Sequence, residues 1–158
     1  MTRKFFLFLA FQLFFTGLNA QQSYKTALGM RINGGLGITA KHMLNDRAAI
    51  EGILYTRWGG LNLTGIYAVH YPVFKEPGFR FYIGGGSHLG FFDGNKNPWW
   101  DDNDRHAVWG LDGQIGLEYT FDEIPLNLSL DWKPTINILG SDDFWYGDAG
   151  ISVRYTWK

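Results

Sequence analysis

The chain contains no cysteine and only 5 prolines among its 158 residues. Without cysteine there is no disulfide framework, no thiolate metal site and no lipidated cysteine behind an apolar leader. Charge of one sign is missing as well: 14 Lys and Arg stand against 15 Asp and Glu, a formal net charge of −1. That balance removes the bulk attraction on which non-specific nucleic-acid binding rests, so no nucleic-acid partner is expected. Long hydrophobic runs are also lacking. Phe5 to Phe15 is apolar except for Gln12, well short of the roughly 20 residues of a spanning helix. Its flanks read as targeting: Arg3 and Lys4 before it, and the small and polar stretch Thr16 to Ala20 after it. A signal peptide over 1–20 is expected, cleaved after Ala20, although Leu18 stands where such sites prefer a small residue. One domain, 21–158, remains.

What the chain has in quantity is glycine (21 residues) and aromatic rings (18%), more rings than the single core of so small a soluble domain holds readily. A protein with an apolar exterior has a use for them. The rings fall into period-2 patterns separated by Gly, Asn, Asp and Pro, the mark of β-strands. From Val108 to Phe121 one parity carries Trp109, Leu111, Ile115, Leu117, Tyr119 and Phe121, and the other Asp112, Gln114, Glu118 and Thr120. Leu126, Leu128, Leu130, Trp132, Ile136 and Ile138 then alternate with Asn127, Ser129, Asp131, Lys133, Thr135 and Asn137. Trp145, Ala149, Ile151, Val153, Tyr155 and Trp157 alternate with Asp148, Ser152, Arg154 and Thr156. The same rule upstream predicts strands near 24–33, 36–44, 49–58, 61–73 and 79–92, and with 106–121, 124–139 and 144–158 the number is eight. Strands of about ten residues in even number suit an all-β, eight-stranded antiparallel up-and-down transmembrane barrel. Lipid would demand closure, because an open edge leaves backbone groups unpaired. The first pair hinges on Asn33-Gly34-Gly35, which reads as a hairpin turn.

Alternation alone leaves open which face is inside, and a secreted soluble barrel would bury the apolar one. Volume separates the two. An eight-stranded barrel has an interior only just wide enough for side chains, and the apolar set is too bulky for it. The polar set mixes charges with Gly84, Gly86, Gly90, Gly110, Gly116 and Gly150, which are expected to make room for long Arg and Lys side chains. Aromatics of the apolar face gather near strand ends, with Tyr71, Phe79, Tyr119, Phe121, Tyr155 and Trp157 at one rim. Trp58, Phe91, Trp109 and Trp145 lie at the other, as interfacial girdles would; Trp132 falls mid-strand and departs from the rule.

The stretch Tyr24 to Lys158 resembles the small outer-membrane β-barrel proteins of Gram-negative bacteria, a group that includes outer-membrane protein X and the OmpA membrane domain. The likeness lies in Leu36-Gly-Ile-Thr-Ala-Lys-His-Met-Leu44 followed by Asn45-Asp46-Arg47, and in Trp58-Gly59-Gly60 leading into Leu63-Thr-Gly-Ile-Tyr67. It continues in Gly116 to Phe121, Leu128 to Pro134 and Val153 to Trp157. The resemblance implies residence in the bacterial outer membrane, contact with membrane lipid and lipopolysaccharide, and assembly by the barrel-assembly machinery. In the group the last strand ends in an aromatic residue; here Trp157 is penultimate, before Lys158. It implies no activity and no cofactor.

Inside such a barrel the polar parity puts Lys25, Arg31, Lys41, Arg57, Arg80, Lys133 and Arg154 with Glu51, Asp112, Glu118, Asp131 and Asp148. Buried charges need partners, so a self-neutralising plug is the reading preferred over a permeation path. His70 and His88 both point inward but on the order of 20 Å apart at about 3.3 Å per residue, too far to share a metal. A lipid-modifying enzyme would need Ser, His and an acid together on the outer wall; Ser87 faces out while His88, Ser129 and Ser152 face in, and no catalytic set forms. The longest irregular segment, 93–105, carries Trp99, Trp100, Asp101, Asp102 and Asp104, the expected place for a surface interaction with an unidentified extracellular ligand. A second loop carries Asp142, Asp143 and Phe144 on the same side, and short turns at Glu76-Pro77-Gly78 and Asp122-Glu123 fall on the other. The function expected is therefore a structural or surface-interaction barrel with a plugged polar lumen. Its alternatives are a secreted soluble ligand-binding barrel and a lipid A-modifying enzyme.

Overall fold

Every second residue of each polar–apolar segment turns to one side of an extended chain, and in the computed structural model those segments curl into one closed sheet. The structure describes residues 24–96, 102–140 and 145–158; the leader expected at 1–20 lies outside them. The strands are β1 (Thr26–Ile32), β2 (Leu36–Met43), β3 (Ala48–Arg57), β4 (Gly60–Pro72), β5 (Phe79–Asp93), β6 (Arg105–Thr120), β7 (Leu126–Leu139) and β8 (Trp145–Trp157). Each pairs antiparallel with its sequence neighbour, and β1 pairs with β8 to close the ring. All eight expected strands are present, with ends displaced by one or two residues. Among the described residues no helix is long and apolar enough to cross a membrane.

Two hairpins show why the turns fall where they do. Between β1 and β2 the chain reverses at Asn33-Gly34-Gly35 with Gly34 at φ 77°. Between β3 and β4 Arg57 pairs with Gly60, so Trp58 and Gly59 alone make the turn, at φ 50° and 69°. Positive φ at both central residues matches the right-handed strand twist. A Trp in that region is unusual; the Arg57 guanidinium lies 3.9 Å from its ring centroid. Among the described strands the register shifts between Trp109 and Gly110 of β6, which face Leu139 and Asn137, so that Ile138 is the extra residue on β7 near the long connection.

The apolar parity lies outside. Leu130 is 57% exposed, Ile151 58% and Ile32 62%, while Arg31, Lys133 and Arg154 are at 0%. At the end with short connections, rings touch in series: Phe74 on Phe79, Phe79 on Tyr119, Tyr119 on Phe121, and separately Tyr155 on Trp157. Two expectations need correction. Lys25 is exposed, and Tyr24 takes the interior place instead, at 1% exposure. The alternation slips there because Lys25 stands before β1 begins, where the wall no longer holds side chains to one face. The inward glycines mostly clear room for rings and neighbouring backbone. A Cβ on Gly116 would sit 2.8 Å from Tyr82 Cζ, one on Gly110 2.7 Å from His88 Cε1, and one on Gly86 1.8 Å from the Gly65 carbonyl oxygen. Gly150 alone fits the expectation, its Cβ place lying 2.2 Å from Arg31 Nη2.

Candidate functional site

Because inward positions from all eight strands converge on one narrow axis, the lumen is where side chains far apart in sequence meet. At the short-connection end, Lys41 Nζ donates to Glu118 at 3.0 Å, and the Tyr24 hydroxyl lies 3.3 Å from both oxygens of the same carboxylate. His70 packs flat against Tyr82, centroids 5.1 Å apart, with Nε2 3.7 Å from Glu118. Arg80 is buried one strand over, directly opposite Glu118 in the ladder.

At mid-height the Arg154 guanidinium meets Glu51 and also donates to Ser129 at 2.8 Å, Asn127 at 3.1 Å and Thr39 at 3.2 Å. Glu51 further accepts from Thr39 at 2.6 Å and Gln114 at 3.3 Å. Arg31 grips Asp131 through two parallel bonds of 2.7 and 2.5 Å, and the Tyr82 hydroxyl adds a third to that carboxylate at 2.8 Å. The forked geometry is the strong form of this pair.

Toward the other end, Asp112 accepts from Lys133 at 2.5 Å and Thr135 at 2.9 Å, and lies 2.8 Å from His88 Nδ1. The other nitrogen of His88 is 3.2 Å from Asn137 Oδ1. Arg57 and Asp148 pair across the mouth, Arg57 being the most open of the set with 23% of its side chain exposed.

Of the twelve charged residues expected in the lumen Lys25 is outside, and Lys41 with Arg31, Glu51, Arg57, Arg80, Asp112, Glu118, Asp131, Lys133, Asp148 and Arg154 are internal or at the mouth. They place six cations beside five carboxylates. The sequence reading missed the tyrosines. Tyr82 shares parity with Arg80 and Gly84 and could have been found that way; Tyr24 breaks parity and could not.

His70 stands opposite Tyr82 and His88 opposite Thr64, six ladder steps apart, as expected. Among the described residues no group of three or more His, Asp or Glu is arranged to hold a metal. On the outer wall Ser87 accepts a bond from Trp109 Nε1 at 3.2 Å, with His88 turned inward.

Of the loop residues, Trp99, Trp100 and Asp101 lie outside the described residues, as do Asp142, Asp143 and Phe144. Asp102 and Asp104 form the base of the 94–104 connection. Asp102 lies 2.9 and 3.1 Å from His106 Nε2 and accepts from the Asp104 N–H at 3.0 Å, while Gly94 N donates to the Asp104 carbonyl at 2.9 Å. The His106 bond, then the backbone one, holds the Asp102 carboxyl below the ordinary range. No family model matches the chain, nor does any curated protein or solved structure.

Proposed function

We propose that the protein is an outer-membrane β-barrel of a Gram-negative bacterium, akin to the small barrels it resembles. Exported behind a cleaved leader, it has a structural or surface-interaction role and no enzymatic one. The observation that carries this reading is the inversion of the usual core. Leucine, isoleucine, valine and aromatic side chains face outward on every strand, and the charges are buried in pairs. A monomeric soluble protein rarely exposes an apolar patch beyond a few hundred Å², and a belt around a whole barrel has hydrocarbon as its natural solvent. A secreted soluble barrel would need an apolar cavity where Arg31, Arg154 and Glu51 stand. The longest connection, 94–104, shares its end with the tight turns at 33–35 and 58–59, while the connections at the terminus end, 44–47, 73–78 and 121–125, are all short; the long loop suits the outside and the terminus end the periplasm. The loop with Trp99, Trp100, Asp101, Asp102 and Asp104 is the proposed contact surface for lipopolysaccharide or an extracellular partner. Membrane fractionation tests the reading. The chain should sediment with outer membranes, resist alkaline extraction and migrate faster in gels when unheated. Recovery of a folded, detergent-free soluble protein would overturn it.

A further inference from the structure

The outer wall is not evenly studded. Across β2–β5 one continuous ladder row reads Ala40, Gly52, Gly65, Ser87. A Cβ added to Gly52 or Gly65 would meet no atom within 4 Å, so both face open space. The row above is bulky, Ile38, Leu54, Leu63 and Leu89, and the row below holds His42, Ile50 and Tyr67. Along the small row and the row below it runs a shallow, open groove of about 670 Å³, lined on the outer face by Ala40, Gly52, Gly65 and Ser87 with His42, Ile50 and Tyr67.

The groove has a direction and a polarity. Ala40 lies 3 residues from the short-connection end of β2, Gly52 4 from that of β3, Gly65 7 from that of β4 and Ser87 8 from that of β5. It therefore climbs from the rim toward mid-wall. Its foot is polar: Thr26 Oγ1 and His42 Nδ1 lie 2.9 Å apart. Exposed Lys25 directly precedes Thr26, its carbonyl bonded to Met43 N, and exposed Arg47 lies on the turn that follows β2, with Asp46 the one carboxylate on that turn. Its upper course is floored by glycine and walled by aliphatic side chains. The three strand spacings from Ala40 to Ser87 come to roughly 14 Å at about 4.8 Å each. Strands tilted by about 35–45° incline that row, so it rises by roughly 9 Å, within the depth of one leaflet of a hydrocarbon core about 30 Å thick.

We propose that this groove is a binding site for a phospholipid of the periplasmic leaflet. One acyl chain lies along Gly52 and Gly65, and the phosphate sits at the foot, held by the cations Lys25 and Arg47 beside the His42 imidazole. The inference rests on the outer-membrane reading above. Charge complementarity selects the occupant: a second copy of this chain would bring its own apolar wall to the groove and nothing anionic to its foot.

The test is native mass spectrometry of the detergent-purified barrel titrated with phosphatidylglycerol. The expected result is one saturable adduct per chain, weakened at least tenfold by Gly52→Leu with Gly65→Leu and several-fold by Lys25→Ala with Arg47→Ala. Ala149→Leu, on the far wall, should leave it unchanged. An adduct that survives filling of the groove, or that ignores the loss of both cations, overturns the proposal. So does a protein dimer that the glycine substitutions abolish. Should the filled variants fail to fold, a fluorophore attached through Gly65→Cys or through Ala149→Cys gives a second measurement in vesicles of brominated phosphatidylglycerol. Residual quenching after dilution into unbrominated vesicles at Gly65 alone supports the site, and equal loss at both positions overturns it. No quenching at either position would instead sink the membrane reading itself.

Discussion

The guanidinium of Arg154 on β8 meets the carboxylate of Glu51 on β3, 103 positions earlier in the chain. These strands are not neighbours: β1 and β2 lie between them on one side of the ring. The pair therefore spans the lumen and ties opposite walls together, which the ladder hydrogen bonds do not.

Removing one half of a fully buried pair leaves a charge without its counter-ion, at a cost of about 3–5 kcal/mol. Arg154→Leu should destabilise the folded barrel on that scale in urea titrations from lipid vesicles, since the contact left to Glu51 is the longer one to Lys41 at 3.7 Å. Glu51→Leu combined with Arg154→Leu should cost clearly less than the sum of the singles. Strict additivity would show that the two residues do not act as a pair.

A charge on the outer wall should be penalised by depth. Ile115→Arg, mid-strand on β6, should weaken folding into bilayers by about 2–4 kcal/mol, and Leu128→Arg and Leu139→Arg, near the two ends of β7, by about 0–1 kcal/mol. The same penalty at all three sites would argue against a hydrocarbon environment.

The lumen should not conduct. Arg31–Asp131 and Arg154–Glu51 at mid-height and Lys133–Asp112 nearer the loop end fill its interior with no exposed side-chain surface beyond 1%. Reconstitution into planar bilayers is expected to give no stable single-channel steps. Reproducible ohmic openings would make the charged interior a path for ions.

The β5–β6 register runs to Asp93 with Arg105 and one backbone bond, Gly94 to Asp104, lies beyond it, so the connection should be dispensable for the barrel. Replacing 95–104 by Gly-Ser should leave folding and heat-modifiable migration intact while abolishing surface binding. Loss of the fold would make the loop structural.

The loop base carries its own pH dependence. Because the folded Asp102 carboxyl titrates below its ordinary range, the ordering it supplies is present above that range and lost as pH falls through the lowered value. His106→Ala should return the Asp102 titration, followed by carboxyl NMR shifts, toward the ordinary range; an unchanged titration would mean the contact is not formed in solution.

Much of this was legible in the residue order. The parity of Leu126 to Ile138 and of Val108 to Phe121 fixes strands, lengths and faces, because side chains alternate with period two and that period is local. The narrow bore of eight strands then puts the charges inside. What needed the closed structure is everything set by strands that are not neighbours. Gln114 of β6 reads as one more polar inward residue, yet it is at 2% exposure and donates at 3.3 Å to Glu51 of β3, with β4 and β5 between them.

The sequence by itself determined that this chain makes eight amphipathic strands with a polar parity and an apolar one. Only the tertiary structure decided which carboxylate meets which cation, since that follows from the stagger with which the sheet closes, a property of all eight registers together. It also decided that Tyr24 rather than Lys25 fills the end of the lumen, where no strand enforces alternation. And it aligned Ala40, Gly52, Gly65 and Ser87, scattered over nearly fifty positions in about as many contexts as there are strands among them, into one row, because a groove on a barrel wall runs across strands while the sequence runs along them.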